Sequence, residues 1–539
     1  MGSRIMKTIR GDIFGGVTAA VVALPLALAF GVASGLGPIA GLYGAIAVGF
    51  FAAVFGGTKS QVSGPTGPMT VAMGGIVAAH AGSLSDAFAI VFLGGLIQML
   101  LGFLKVGRYV SYTPYSVVSG FMSGIGIIII LIQTLPFVGM PTATGGPVHT
   151  IFMWPDIPAG LNAEALMIAC LTLAVMVFWP RRLQAILPPP LAALVLGTLA
   201  SLFIFKGVPV IGDVPTGLPD FHLPVFALSS LSNILPSALI LALLGSIDSL
   251  LTSLVADSIT RTRHDSDREL IGQGIGNMIA GLIGGLPGAG ATMRTVVNVR
   301  AGGRTPISGA LHAVILLALV LGLGPLAEKI PHAVLAGILM KVGWDIIDWG
   351  YIRRCHRAPR EKVLVMLVTL GLTVFVNLIT AVAVGLILAG FITAKWMEKE
   401  ELKGITGLAL SDHDHFLSEA ERSALKQHNG KISLVFLRGR FSYASARQLI
   451  QRGYAANLDQ RAIIYDFAEA AHVDTSAALA IDELLATVRE DGVACYVVGL
   501  SGTAKKTLES LGVLDKIPAD HIVSSLLEAI ERASSKITS

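Results

Sequence analysis

The chain has 539 residues, of which 53% are hydrophobic and only 14% are charged, with a formal net charge of +4. Charged residues make up about a quarter of soluble globular proteins, so this composition excludes an ordinary soluble protein and indicates a membrane protein. A nucleic-acid-binding function is not expected, since it needs a basic patch on a folded face. No motif spacing links Cys170, Cys355 and Cys495, so we expect neither a disulfide nor a zinc site.

Apolar stretches long enough to cross a bilayer, at roughly 20 residues per crossing, follow one another as far as Lys395. The strongest lie at 13–33, 40–56, 86–104, 114–136, 163–179, 189–205, 233–257, 306–324 and 361–394. Weaker spans, broken by glycine, are predicted at 66–80, 270–286, 291–301 and 331–347, and the stretch 361–394 is divided at Asn377. We therefore predict about fourteen spans, two of them short.

Lysine and arginine are concentrated in alternate loops of this fourteen-span arrangement, as the short cytoplasmic loops of membrane proteins require. In the loops on the other side of the membrane, the only lysine or arginine residues are Lys206 and Lys329. Both termini are therefore predicted to be cytoplasmic. The first apolar segment is too long for a signal-peptide core and is followed by further spans, so we interpret it as the first membrane helix.

An internal repeat is indicated by "PYSVVSGFM" at 114–122 and "PHAVLAGIL" at 331–339, which share Pro, Val and Gly at the same spacing. The two segments lie seven predicted spans apart. An odd number of spans per repeat inserts the two halves with opposite orientation, about a pseudo-two-fold axis in the membrane plane. A chance match is the alternative, because proline and glycine are common in membrane helices.

The same seven-span separation pairs "SGPTGPMT" at 63–70 with "GAGATMRT" at 288–295. We interpret both as half-helices, in which glycine and proline keep the backbone extended before the helix begins. The N–H groups of 66–69 and 291–294 then lack helical partners near the bilayer midplane and form a site for a small anion, and Arg294 adds positive potential. In the alternative interpretation these glycines only allow close helix packing.

Asp248 lies within the apolar segment "LLGSIDSLLTSLVAD", where a carboxylate costs about 3 kcal/mol. Thr252 is one helical turn further on the same face. Their oxygens form a set suited to sodium, especially if the carbonyl groups of Gly290 and Thr292 contribute. A proton-carrying acid and a salt bridge to Arg294 are the two alternatives.

The composition changes at "KWMEKEELKG", residues 395–404, after which the chain reads as a soluble domain. Short β-branched runs alternate there with helical patterns, which is typical of an α/β sandwich. The strands are predicted at 432–437, 463–467 and 495–500, and the helices at 444–458, 476–488, 504–511 and 522–533. We predict a transport domain at 1–396, a linker at 397–403 and a cytoplasmic domain at 404–539.

Five long motifs together resemble the SulP anion-transporter family joined to a C-terminal STAS domain. They are "RGDIFGGVTAAVVALPLALAFGVASG", "GSIDSLLTSLVAD", "ELIGQGIGN", "GLPGAGATMRTVVN" and the STAS-like "DFAEAAHVDTS" at 466–476. The resemblance covers nearly the whole chain. Within the family it is strongest to the cyanobacterial BicA-type sodium-dependent bicarbonate transporters.

The resemblance implies a polytopic α-helical membrane protein with two inverted seven-span repeats, UraA-like core and gate domains, and a soluble α/β STAS domain. It also implies a homodimer formed through the STAS domain and the gate. By this likeness Thr66, Ala291 and Thr292 contact bicarbonate. We add Gly67 and Arg294, from the half-helix interpretation, to the predicted anion site. Sodium, as the coupling ion, is held by Asp248, Thr252, Gly290 and Thr292.

Two features bear on coupling and regulation within this resemblance. The first span, "GGVTAAVVALPLALAFGVAS", lacks the acid seen in proton-coupled relatives, which favours sodium. Asp474, Thr475 and Ser476 stand where anti-sigma-factor antagonists carry a phosphorylatable serine. A helix N-cap is the simpler interpretation, because all three residue types serve as caps.

Three classes of function remain open: a secondary transporter, a channel or anion-gated motor, and a membrane-anchored STAS signalling protein. The paired broken helices favour transport. We predict a secondary active transporter, not an enzyme, that takes up bicarbonate with sodium by alternating access across the inner (plasma) membrane. The alternative is proton- or sodium-coupled transport of sulfate or a dicarboxylate, since helix dipoles recognise charge and size rather than chemical identity.

Overall fold

The structure is a computed structural model. It describes residues 2–79, 83–110, 113–143, 146–180, 182–184, 187–212, 219–224, 231–408, 417–427, 431–455 and 460–538. The chain divides into two compact units, Met1–Ala389 and Gly390–Ser539. Each unit has its own hydrophobic core.

In the described part of the chain before Gly404, fourteen helices have ten or more residues. The first seven are α1 (Gly2–Ala33), α2 (Pro38–Phe55), α3 (Gly67–Ala79), α4 (Leu84–Phe103), α5 (Tyr115–Phe137), α6 (Ala163–Phe178) and α7 (Pro189–Phe203). The second seven are α8 (Leu231–Thr260), α9 (Ser266–Leu282), α10 (Thr292–Ala301), α11 (Pro306–Ala327), α12 (His332–Ile346), α13 (Arg360–Phe375) and α14 (Leu378–Glu401). Short helices occur at Gly107–Val110, Gly146–Phe152, Ile157–Gly160 and Trp349–Ile352.

The order of these helices follows the predicted order of spans. Among the described residues, six helices are long and apolar enough to cross a membrane, and counting each of two bent pairs as one span raises the number to eight. One bent pair joins α10 to the first part of α11, with a bend of 111°. The helical membrane fold is therefore confirmed, whereas fourteen separate crossings stay a prediction.

The helices of the first unit form two packed groups. In one group α9 lies against both α2 and α4, and α1 lies against α2, α10 and α11. In the other, α5 packs on α12 and α13, and α6 packs on α7 and α12. The approach of α9 to α4 is so close that a Cβ on Gly274 would lie 2.6 Å from the carbonyl oxygen of Gly95. These groups correspond to the core and gate of the predicted fold.

The two predicted half-helices begin where the sequence indicates. The strand β1 (Ser63–Gly64) precedes α3, and β2 (Ala289–Gly290) precedes α10. Helix α3 ends at Ala79, one residue before the predicted end of that span, His80, which lies outside the described residues. The proline at position 68 is tolerated because the first turn of a helix needs no N–H donor there.

The strands β1 and β2 pair antiparallel, with Ser63 opposite Gly290 and Gly64 opposite Ala289. We call this paired region the β1–β2 crossing. It requires glycine at position 288, since a Cβ there would lie 2.6 Å from the carbonyl oxygen of Gly64. Equivalent segments of two inverted repeats meet antiparallel when they cross on the pseudo-two-fold axis, so this pairing is the one that the predicted repeat requires.

The second unit is an α/β domain, as predicted. Its strands are β3 (Ile405–Leu408), β4 (Ile432–Leu437), β5 (Gly439–Phe441), β6 (Ala462–Asp466), β7 (Ala470–Val473), β8 (Ala494–Val498) and β9 (Ile522–Val523). Its helices are α15 (Glu419–Lys426), α16 (Ala446–Ala455), α17 (Thr475–Glu490), α18 (Gly502–Ser510) and α19 (Leu526–Thr538).

The five strands of its main sheet have the order β3-β4-β6-β8-β9, with β3 antiparallel to β4 and the other neighbours parallel. Apolar clusters cover both faces of this sheet. The helix predicted at 522–533 begins later, because Ile522 and Val523 extend the sheet as β9. The predicted helix at 444–458 runs into 456–459, which lies outside the described residues. The domain limits at 396 and 404 stay predictions, and α14 crosses the first of them.

Asp474 caps the N-terminus of α17. One carboxylate oxygen accepts the N–H of Ala477 at 2.8 Å, and the other accepts the N–H of Tyr443 at 2.8 Å. Thr475 and Ser476 are exposed in the first turn. The capping interpretation therefore has two hydrogen bonds to support it.

We expect the Asp474→Ala substitution to lower the free energy of unfolding of the soluble domain by about 1–2 kcal/mol, because it removes the cap and leaves N–H donors without acceptors. Thermal unfolding of the full-length protein, followed through the soluble domain, measures this change. Ser476→Ala is the matched control and should change the unfolding free energy by less than about 0.5 kcal/mol. Equal effects of the two substitutions would contradict the assignment of the cap to Asp474.

Candidate functional site

The crossing of β1 and β2 brings the N-termini of α3 and α10 together inside the first unit. The carbonyl oxygens of Thr66 and Ala291 accept the first helical hydrogen bonds, from Thr70 at 2.9 Å and from Thr295 at 2.8 Å. Only one or two residues therefore separate each half-helix from the end of its short strand. The N–H groups of both first turns face away from the body of their own helix.

The available donors differ in two places from the predicted sets 66–69 and 291–294. Pro68 has no N–H. Ala291 already donates its N–H to the carbonyl oxygen of Val62 at 2.9 Å, so this group is not available to an anion. In the described part of the chain, the other members of the two sets have no backbone acceptor outside their own helix: Thr66, Gly67, Met69, Thr292, Met293 and Arg294.

Buried polar side-chain atoms without a hydrogen-bond partner occur at several places in the described part of the chain, Oε1 of Gln273 among them, and three belong to residues of the predicted site. They are Oγ1 of Thr66, Oδ2 of Asp248 and Nη1 of Arg294. The Asp248 carboxylate and the Arg294 guanidinium are near enough for their opposite charges to attract one another. Buried polar atoms are rarely left unpaired in native proteins, so three such atoms on one site indicate a place where a polar ligand binds.

Arg294 is held against β1. Its Nη2 donates to the carbonyl oxygen of Pro65, and its Nη1 lies 2.7 Å from the position that a Cβ on Gly64 would take. No ion pair joins Arg294 to Asp248 in the described part of the chain. The salt-bridge alternative for Asp248 therefore rests on attraction between the two charges at a longer distance, without a direct ion pair.

The four residues predicted to hold a cation lie together. The Thr252 hydroxyl donates to the carbonyl oxygen of Gly290 at 2.9 Å and lies 2.7 Å from the Thr292 hydroxyl. Asp248 is one turn earlier on α8 and is 7% exposed. The prediction used the carbonyl group of Thr292, whereas the structure brings its hydroxyl to Thr252. Carboxylate, hydroxyl and carbonyl oxygens are the ligands of hard cations.

Sequence reasoning missed the polar face of α9. Glu269, Gln273 and Asn277 recur at intervals of four residues and are all buried. Asn277 donates to the carbonyl oxygen of Gly288 at 3.0 Å and accepts its N–H at 2.8 Å, while Gln273 donates to the Ser63 hydroxyl at 2.5 Å. One helix therefore holds both strands of the crossing. The i, i+4, i+8 spacing in "ELIGQGIGN" was the signal, since it places three polar side chains on one face of a helix.

Comparisons with known proteins agree with this architecture. Residues 9–369 match the sulfate permease family, and residues 423–529 match the STAS domain. The chain is 44% identical to the bicarbonate transporter BicA of Synechocystis over 534 residues, which cover 98% of this chain and 94% of that protein. It is 42% identical to BicA of Picosynechococcus over 538 residues, covering 98% and 95%.

Solved structures support the same conclusion. The transmembrane domain of a cyanobacterial BicA matches with a TM-score of 0.65 and 49% identity, covering 69% of this chain and 97% of that one. The structure of SLC26A9 matches with a TM-score of 0.80 over 98% of this chain and 91% of that one, at 19% identity, and supports the fold alone. These relatives are transporters rather than enzymes. The chain belongs to the sulfate permease family of membrane anion transporters and carries a C-terminal STAS domain.

Proposed function

We propose that this protein takes up bicarbonate together with sodium by alternating access. The observation that carries the proposal is the meeting of two helix N-termini beside an unpaired carboxylate and a cluster of oxygen atoms. The relatives named bicarbonate transporters, at 42–44% identity over nearly the whole chain, support the choice of bicarbonate.

The anion binds to the N–H groups at the starts of α3 and α10. Each helix N-terminus contributes about half a positive charge, so the pair favours one small anion without a lysine in the bilayer. Thr66, Gly67 and Thr292 provide polar groups at this point. Ala291 lies at the strand-to-helix junction between the two sites. Arg294, which is 2% exposed, adds a full positive charge.

Sodium binds beside the anion, to oxygens of Asp248, Thr252, Gly290 and Thr292. A carboxylate buried in a membrane helix costs about 3 kcal/mol, and a bound cation offsets that cost. Thr292 belongs to both sites, because its N–H faces the anion and its hydroxyl lies at 2.7 Å from Thr252. This shared residue couples the two ligands.

Transport requires the core group of helices, which includes α10 and is joined to the start of α3 through the β1–β2 pairing, to move against the gate group. In this proposal both termini and the STAS domain are cytoplasmic, the protein lies in the inner (plasma) membrane, and two copies associate through the STAS domain and the gate. The transport domain occupies 1–396, the linker 397–403 and the STAS domain 404–539.

Sodium titration tests the coupling. Raising sodium should lower the KM for bicarbonate, and raising bicarbonate should lower the sodium half-saturation concentration. The underlying binding affinities change by the same factor, because linkage between binding free energies is reciprocal. Uptake of labelled bicarbonate into proteoliposomes measures both, with choline replacing sodium. Uptake that persists in choline and rises as the external pH falls would overturn sodium coupling in favour of protons. Competition by sulfate or succinate would instead favour the alternative substrates.

The Asp248→Asn substitution should remove sodium dependence together with concentrative uptake. Asparagine keeps the size of the side chain but lacks the charge that binds the cation. Any sodium activation that remains should need at least a tenfold higher sodium concentration, which corresponds to about 1.4 kcal/mol. Asp257→Asn is the control, since Asp257 lies on the same helix but bonds to His264 and not to the site. Unchanged sodium dependence in correctly inserted Asp248→Asn protein would contradict the cation assignment.

The Ala291→Pro substitution should reduce uptake to less than about a hundredth of normal, in line with the 3 kcal/mol or more that a misplaced proline costs. It removes the N–H bond to Val62, and proline disfavours the φ of −99° at this position. Ala291→Gly keeps the N–H and should retain most of the uptake. Normal uptake by an inserted Ala291→Pro protein would rule out a site built at this junction.

A further inference from the structure

Glu269 is a buried carboxylate in the first turn of α9, only 1% exposed, and no ion pair joins it to a basic side chain among the described residues. Four donors surround it. One oxygen accepts the N–H groups of Gly57 at 2.9 Å and Thr58 at 2.8 Å, and the other accepts the side-chain amides of Gln61 at 2.7 Å and Gln273 at 2.8 Å.

Four donors converging on two oxygens suit an ionised carboxylate, because a proton on either oxygen would face another donor. Charge-assisted hydrogen bonds replace the counter-ion, and the N-terminus of α9 adds a favourable dipole. Replacing this group by a neutral amide would turn an NH₂ toward two donors. The arrangement is therefore specific for a carboxylate and would not tolerate the isosteric amide.

The Gln61 amide connects Glu269 to the cation cluster. It receives a hydrogen bond from the Ser253 hydroxyl at 3.0 Å, next to Thr252 on α8. Its Nε2 lies only 2.4 Å from the position that a Cβ on Gly290 would occupy, so the amide packs directly on Gly290. The carbonyl oxygen of Gly290 is the one that accepts the Thr252 hydroxyl.

The Gln273 amide and the backbone donors connect Glu269 to the first half-helix. Gln273 bridges Glu269 to the Ser63 hydroxyl in β1. Gly57 and Thr58 belong to the connection between α2 and β1, and the Thr58 hydroxyl lies 2.7 Å from the Ser253 hydroxyl. A residue of the second repeat thus holds the segment that leads into the half-helix of the first.

We infer that Glu269 is a positioning residue for both ligands: through Gln61 it holds Gly290 in the cation cluster, and through Gln273 it holds β1 before the anion-binding half-helix. It touches neither sodium nor the anion. The inference rests on the proposed function. It adds the hydrogen-bond network that holds the cation cluster and the anion-binding half-helix in fixed positions relative to each other.

Asp12 provides a matched control in the same unit. It is 0% exposed and accepts the N–H groups of Arg304 at 2.7 Å and Thr305 at 3.0 Å, as well as the Thr305 hydroxyl at 2.5 Å. It anchors the turn between α10 and α11, and none of these partners belongs to the β1–β2 crossing. Asp12→Asn therefore measures the general effect of losing a buried carboxylate anchor.

The experiment compares Glu269→Gln, Gln61→Ala and Asp12→Asn in the full-length protein, reconstituted in proteoliposomes at equal protein content. Sodium half-saturation, the bicarbonate KM, the maximal rate and the melting temperature are measured for each. We expect Glu269→Gln and Gln61→Ala to raise the sodium half-saturation and the KM by about tenfold, while Asp12→Asn lowers the melting temperature and keeps both concentrations within about twofold. The double variant Glu269→Gln/Gln61→Ala should be little worse than the worse single one, since both act through one contact chain.

The inference is overturned if Glu269→Gln and Gln61→Ala leave the sodium half-saturation concentration and the bicarbonate KM as in the unmodified protein. It is also overturned if they change these two values no more than Asp12→Asn does. If Glu269→Gln protein does not insert, Gln61→Ala alone decides the question, because it leaves the carboxylate with three of its four donors. Loss of sodium dependence in the unmodified protein would overturn the proposed coupling instead, and the bicarbonate KM of the variants would then decide the positioning role.

Discussion

A two-residue antiparallel strand pair inside a helical membrane unit is the constraint on which the rest of the site depends. Non-helical backbone at membrane depth is tolerated only where it is buried in protein or lines a polar cavity, because lipid cannot satisfy its N–H and C=O groups. The crossing of Ser63–Gly64 with Ala289–Gly290 satisfies part of this need by pairing the two breaks with each other. The donors left over lie at the starts of two facing helices.

The surrounding polar residues follow from that crossing. Gln273 of α9 binds Ser63 in β1, Asn277 of α9 binds Gly288 directly before β2, and Ser249 of α8 accepts the N–H of Gly290 at 3.0 Å. These bonds satisfy the strands, whereas Asp248 Oδ2, Thr66 Oγ1 and Arg294 Nη1 stay unpaired. These three atoms belong to the predicted ligand-binding residues, while among the supporting residues named here Gln273 also keeps one unpaired oxygen, Oε1. An unpaired buried polar group costs free energy, and a bound ligand or water offsets that cost.

Local sequence patterns predicted those parts of the structure that depend on residues adjacent in the sequence. The Gly- and Pro-rich segments "SGPTGPMT" and "GAGATMRT" gave the breaks and the starts of α3 and α10 to within a residue, because turn chemistry is local. The helical membrane class and the α/β tail followed from hydropathy and periodicity. The resemblance to the SulP family, now confirmed by the family match, added the core and gate arrangement.

The parts that sequence reasoning missed depend on contacts between distant segments. The N–H of Ala291 is used by Val62, 229 positions earlier in the numbering, and Glu269 binds a connection that precedes it by 211 and 212 positions. No local pattern specifies such partners. The i, i+4, i+8 polar face of α9 was visible in the sequence, but only the structure assigns it to the two strands. Ile522 and Val523 likewise join the sheet because β8 offers them a pairing edge.

Solid-state NMR of the purified protein in lipid tests the anion site most directly, by measuring dipolar coupling between carbon-13-labelled bicarbonate and nitrogen-15-labelled backbone amides. With threonine labelled, coupling should appear in sodium and be lost in choline, since Thr66 and Thr292 lie at the two half-helix N-termini. With tryptophan labelled instead, no coupling is expected, because none of the five tryptophans lies in either half-helix. Bound bicarbonate that couples to no threonine amide would contradict recognition by the paired helix N-termini.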